Sequence, residues 1–251
     1  MLSEARLNVM LIGKTGPTAK YFNKVASAGV ADEIKWELIR NGTKAIALTA
    51  IRTCYSPNKP TEIVVKEGEK YFDQDATDGE GGKEADRLIR HIIRSKHTST
   101  LEHLSYTFAV EGLSRSALAQ LTRHRHFSFS VQSQRYVRFG SDDRSAGFDY
   151  VIPPMFSESD AALFAEHMER VQKVYDTLRA AGVPAEDARF VLPNAAATNL
   201  VLTGNLRAIL EFYSKRKPGR GAQHEIARLA EEIRREVVDA DPWVDSLFEH
   251  V

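Results

Sequence analysis

The sequence predicts a single α/β domain over residues 1–251, of the α+β kind, and three observations carry that reading. Short apolar runs of strand character stand between segments with helical periodicity. No repeat and no low-complexity linker divides the chain. A length of 251 residues suffices for one sizeable core.

The elements follow in order. Leu7–Ile12 reads as a first strand, stopped by Gly13 and the Thr15-Gly16-Pro17 turn. Gly13-Lys14-Thr15-Gly16 lacks the spacing of a phosphate loop and is read as a strand end. Helices are predicted at about 31–40 and 43–53, the second ending before Ser56-Pro57. Cys54, the only cysteine, excludes an intrachain disulfide and is read as a small buried hydrophobe. Residues 73–83 are acidic and glycine-rich, lack the calcium-loop pattern, and are read as a mobile surface insertion. A helix follows at 84–96. Leu104–Val110 alternates as a strand with Leu104, Tyr106, Phe108 and Val110 on one face.

A helix is expected from Ser114 or Ser116 into the arginine-histidine stretch, which would place Gln120 and Arg123 on one face. Residues 139–158 read as loop. A long helix at 160–181 uses Leu163, Met168, Val171 and Val174-Tyr175 as its apolar face, with Gly182 as its stop. A short helix from Pro184 reaches Arg189. Asn199–Thr203 is a strand, and Asn205 caps a helix over 206–215. The last predicted helix, 222–238, turns Ile226, Leu229, Ile233 and Val237 inward.

Charge narrows the function. Lysine and arginine together balance aspartate and glutamate, so the net charge is zero and general nucleic-acid affinity is not indicated. No apolar run reaches membrane-spanning length and no signal pattern opens the chain, so a cytoplasmic protein without membrane partners is expected. Within this neutral chain, residues 112–141 contain no acid and no lysine but hold Arg115, Arg123, Arg125, Arg135 and Arg138. Arginine without lysine suits bidentate recognition of phosphate or carboxylate. The centre of the window is Arg123-His124-Arg125-His126-Phe127-Ser128-Phe129-Ser130-Val131-Gln132-Ser133-Gln134-Arg135-Tyr136. A serine hydrolase reading, with Ser133 activated by His124 or His126, is a weak signal for want of a glycine elbow around Ser133. His97, His103, His124 and His126 match no zinc spacing, so no metal is expected.

Arg123-His124-Arg125, seven residues, then Ser133 resembles the signature of the flavin-dependent thymidylate synthases. The resemblance extends over roughly residues 90–235. It includes His97–His103, then Arg189-Phe190-Val191-Leu192-Pro193, Thr203-Gly204-Asn205-Leu206-Arg207 and Arg216, in the family's order. It implies a central, mostly antiparallel sheet flanked by helices, assembled as a homotetramer whose active sites are shared between subunits. It implies methylation of dUMP to dTMP, with methylenetetrahydrofolate as carbon donor and NADPH, through FAD, as hydride source.

By the same resemblance, Gln120, Leu121, Thr122, Arg123, Val131, Gln132, Ser133, Gln134, Arg135, Arg189 and Arg216 face dUMP. Ser99, Glu102, Arg123, His124, Arg125, Val131, Asn205, Arg207 and Glu211 face FAD. Arg216 is the matching position for the arginine that polarises the uracil ring. Val131 and Glu211 depart from the family, where a polar residue and a neutral or basic residue are usual. The 217–221 loop is one residue longer than usual. A non-catalytic nucleotide- or RNA-binding protein on the same scaffold is the alternative.

Overall fold

The computed structural model describes residues 2–249. In chain order its elements are strand Asn8–Lys14 (β1), helices Ala19–Ser27 (α1), Asp32–Arg40 (α2), Gly42–Thr53 (α3), Ile63–Gly68 (α4) and Glu84–Arg94 (α5), strand Ser105–Ser114 (β2) and helix Arg115–Leu121 (α6). Strand Ser128–Val131 (β3), helices Glu158–Ala180 (α7) and Ala185–Ala188 (α8), strand Ala197–Asn205 (β4), and helices Leu206–Arg216 (α9), His224–Ala240 (α10) and Asp245–Glu249 (α11) follow. The strands form one sheet in the order β1-β2-β4-β3. β2 runs antiparallel to β4, since Arg115 N–H donates to Ala196 O while the hydroxyls of Thr107 and Thr203 meet at 3.0 Å.

The chain packs as two compact units. The first comprises Met1–Met10, Phe108–Leu202 and Gln223–Leu229. Its core gathers Phe139, Phe148, Tyr150, Met168, Tyr175, Ala188 and Ala196. The long stretch after residue 138 has little regular structure, yet α7 holds it by side chains. Gln172, buried, donates to Phe139 O at 2.7 Å and accepts from Phe148 N–H at 3.1 Å. Tyr175 OH accepts from Phe139 N–H at 3.2 Å. These bonds satisfy backbone groups that a loop over a core would otherwise leave unpaired. The expected apolar face of α7 is therefore corrected: Met168, Gln172 and Tyr175 point inward, while Leu163 and Val174 are exposed.

Gly112 in β2 has φ +70°, and a Cβ there would lie 2.3 Å from Arg6 O. Only glycine permits that approach of two backbones.

The second unit comprises Leu11–Thr107, Thr203–Ala222 and Ala230–Val251. Its least exposed ionic group is Asp241, fully buried. It accepts from Thr43 Oγ1 at 2.5 Å, Lys14 Nζ at 2.9 Å and Tyr106 OH at 3.0 Å. Burial, then the charge of Asp241, drives the Tyr106 phenol far above its usual pKa, so it remains a donor.

Two further expectations are corrected in this unit. The acidic loop is not a free insertion. Arg90, buried, binds Asp78 at 2.8 Å and Arg94 binds Glu80 at 2.5 Å, so α5 anchors the loop by guanidinium forks. Cys54 is exposed rather than buried, because it caps the end of α3 past the apolar face that includes Leu48 and Ile51. Helix α1 has no counterpart in the pattern read from sequence; Thr18 starts it by accepting from Tyr21 N–H at 3.3 Å.

Among the described residues, no helix is long and apolar enough to cross a membrane.

Candidate functional site

In the first unit the arginine-histidine motif is split between two elements. Helix α6 ends at Leu121, earlier than expected, and residues 122–127 turn into β3. Ser128-Phe129-Ser130-Val131 pairs with β4 as an extended strand, which takes the chain out of the helix before the arginine-histidine stretch. Gln120, Leu121 and Thr122 thus stand at the end of α6, and Arg123, His124 and Arg125 in the turn. Arg123 N–H still reaches Gln120 O at 3.4 Å. Val131 ends the edge strand, and Gln132, Ser133, Gln134 and Arg135 leave it in a turn.

That turn is fixed by backbone and amide bonds. Gln132 N–H donates to Asn199 O at 2.8 Å, and the Asn199 amide donates to Gln132 Oε1 at 3.2 Å. The same Asn199 accepts from Gly112 N–H at 3.0 Å, so one side chain ties β2, β4 and the motif together. Ser133 Oγ accepts from Arg135 N–H at 3.2 Å, leaving its hydroxyl proton able to donate.

Two arginines meet Glu186 beside this turn. Arg135 Nε binds Glu186 Oε2 at 3.1 Å, and Arg189 Nε donates to Glu186 O at 3.0 Å. The pKa of Arg115 is lowered, first by burial and then by the charge of Arg189. Arginines gathered in this way present positive charge that a phosphate or carboxylate would satisfy. Arg115, Glu186 and Asn199 were not singled out as site residues from sequence. Arg115 lay inside the acid-free window, which was its only signal; Glu186 and Asn199 gave none.

The start of α6 is set by a residue far along the chain. Ser114 caps the helix by accepting from Ala117 N–H at 3.0 Å. Its own hydroxyl and N–H donate to the buried Glu225. Gln223 in turn accepts from Glu225 and Ile226 N–H, which caps α10.

In the second unit, Ser99 and Glu102 lie on the 3-10 turn Thr98–His103. This turn and the face of α3 bearing Ile46, Thr49, Ala50 and Thr53 border an open groove of about 820 Å³ that also takes in Cys54 and His97. Tyr55 OH and His97 Nδ1 lie 2.7 Å apart beside it. Glu102 binds Arg207 NH1 at 2.5 Å, so two predicted flavin residues do meet. Asn205 caps α9 by accepting from Ala208 N–H at 2.9 Å, as expected, and its amide N–H groups remain to donate. Glu211, one turn beyond Arg207, binds Lys215 at 2.5 Å. Arg216 is the last residue of α9 and is turned by roughly 140° from Glu211 about the helix axis. The flavin and nucleotide assignments on α9 therefore fall on different faces. Among the described residues, no group of three or more His, Cys, Asp or Glu is arranged to hold a metal ion.

The family model described as "Thymidylate synthase complementing protein" matches residues 37–243. The flavin-dependent thymidylate synthase of Geobacter sulfurreducens is 41% identical over 202 residues, covering 80% of this chain and 79% of that protein. The one from Clostridium tetani is 34% identical over 224 residues, covering 82% of each. Among solved structures, the UMP/dUMP methylase PolB from Streptomyces cacaoi, bound with 5-Br dUMP, gives a TM-score of 0.69 at 21% identity, covering 100% of this chain and 99% of that one. Thymidylate synthase X from Helicobacter pylori, with FAD and dUMP, gives 0.63 at 24% identity, covering 97% and 98%. The two structures share the fold. The family model and the two sequence relatives, each covering most of both chains, show that this chain belongs to the flavin-dependent thymidylate synthases.

Proposed function

We propose that the chain is an FAD-dependent thymidylate synthase that methylates dUMP to dTMP, with methylenetetrahydrofolate as carbon donor and NADPH as reductant. The observation that supports this is the convergence of Arg135 and Arg189 on Glu186 beside the Gln132–Arg135 turn, in a chain of this family. The dUMP phosphate is assigned to Ser133, Arg135 and Arg189, with Gln132, Gln134 and Val131 beside it. Gln120, Leu121, Thr122 and Arg123 complete the nucleotide side. Arg216 is the catalytic residue: a fixed positive charge beside the pyrimidine holds the negative charge that develops on the ring and so raises electron density at C5.

FAD fits the donor set present. Ser99 offers a hydroxyl, Asn205 an amide N–H and Arg207 a guanidinium, which suit sugar hydroxyls and a pyrophosphate. Arg123, His124, Arg125, Val131 and Glu211 are assigned to the same cofactor. When bound, FAD supplies hydride transfer. Glu102 orients Arg207, and its carboxylate would limit how that guanidinium turns. The protein works as a cytoplasmic homotetramer, each active site drawing on several subunits.

The test is direct. Purified protein loaded with FAD, given NADPH, methylenetetrahydrofolate and dUMP, should form dTMP, and its flavin absorbance should bleach with the reductant. A protein that cannot be loaded with FAD, or that holds FAD and yields no dTMP, refutes the proposal.

A further inference from the structure

Glu186, on the short helix α8, holds two of the arginines assigned to the nucleotide. Its side-chain Oε2 takes Arg135 Nε at 3.1 Å, and its backbone oxygen takes Arg189 Nε at 3.0 Å. Arg115 stands in the field of Arg189. One residue thus holds two guanidiniums, and its carboxylate engages one of them. We propose that Glu186 is an internal counter-ion that occupies Arg135 until the substrate phosphate displaces it, and so sets the affinity and the phosphate requirement of the site; this rests on the nucleotide reading above.

The energetics favour exchange. The Arg135 and Glu186 side chains are 54% and 50% exposed, and an ion pair so placed is weak. It engages Arg135 through Nε. A phosphate dianion brings more charge and three acceptor oxygens to the same fork, so it wins the arginine. Glu186 then remains as a like charge near the phosphate, which costs binding. A neutral nucleoside has nothing with which to displace the carboxylate and gains nothing from the arginines. The pair therefore keeps Arg135 engaged in the free protein and raises the concentration of dUMP needed to fill the site.

The role of Glu186 is separable from its scaffold role, because Arg189 uses the backbone oxygen and not the carboxylate. The test is titration of the FAD-loaded protein with dUMP, followed by the flavin spectrum, for wild type, Glu186→Gln and Glu166→Gln. Glu166 pairs with Arg170 along α7 and serves as a control for net charge. Glu186→Gln should bind dUMP roughly two- to fivefold more tightly, the range expected for one exposed ion pair. Glu166→Gln should match wild type, and deoxyuridine binding should be the same in all three. Unchanged or weaker dUMP binding in Glu186→Gln, with wild type binding normally, overturns the role of Glu186 alone. Wild type that binds no dUMP overturns the nucleotide reading itself.

Discussion

Ser114 gives both its hydroxyl and its N–H to the carboxylate of Glu225, at 2.6 and 2.7 Å. Both residues are buried, and the contact joins the start of α6 to the first turn of α10. Glu225→Ala leaves the Ser114 N–H and hydroxyl without their acceptor, at a cost of about 1–3 kcal/mol. Helix α6 bears Gln120, which we assign to the nucleotide, so KM for dUMP should rise along with the loss in melting temperature. Thermal unfolding and steady-state kinetics on the same preparation check both; a lowered melting point with unchanged KM would confine Glu225 to stability.

Asp241 gathers Thr43, Lys14 and Tyr106 around one fully buried carboxylate. Asp241→Ala leaves the Thr43 and Tyr106 hydroxyls without their acceptor and removes the carboxylate partner of Lys14, which keeps Ala240 O, and should destabilise the protein by about 3–5 kcal/mol. Equilibrium denaturation measures it. The exposed Glu166→Gln should stay within about 0.5 kcal/mol of wild type in the same assay.

Glu67 governs part of the acid response. Burial pushes its pKa up, but bonds from Ser56, Asn58 and Arg52 outweigh that, and the net pKa is lowered. The Arg52 Nε bond is 2.6 Å and the Asn58 amide bond 2.9 Å. A carboxylate with a depressed folded pKa adds stability above its unfolded value of about 4.3, and that stability is lost as the pH falls through the folded pKa. Between pH 6 and pH 3, wild type should therefore lose more stability than Glu67→Gln. Urea denaturation at each pH tests it, and parallel curves would contradict the assignment.

Arg216 closes α9, where a cation also suits the helix C-terminus. Arg216→Ala should lower the rate of dTMP formation by about 10²–10³, the usual effect of losing one preorganised charge. FAD should remain bound, since Arg207 and Glu211 lie on another face. Single-turnover kinetics and the flavin absorbance separate the two; loss of FAD with turnover restored on reloading would move Arg216 to the cofactor.

What the sequence determined was local. The alternation of Leu104, Tyr106, Phe108 and Val110 specified the buried face of β2, and all four are fully buried. The periodicity of Ile226, Leu229, Ile233 and Val237 did the same for α10. Asn205 showed its helix cap by residue type. These follow from the fixed periods of strand and helix and from side-chain chemistry, which neighbours in sequence are enough to reveal.

What only the tertiary structure decided depends on residues far apart in the chain. Glu225 reaches Ser114 across 111 positions, and Glu186 reaches Arg135 across 51. The fate of Cys54 and of the acidic loop turned on which helix face and which arginines lay nearby. Helix α6 stopped early because β3 pairs with β4, a gain from a partner strand that no reading of residues 114–131 alone contains. Burial and charge pairing are properties of the packed chain, and a residue's type constrains its partners without choosing them.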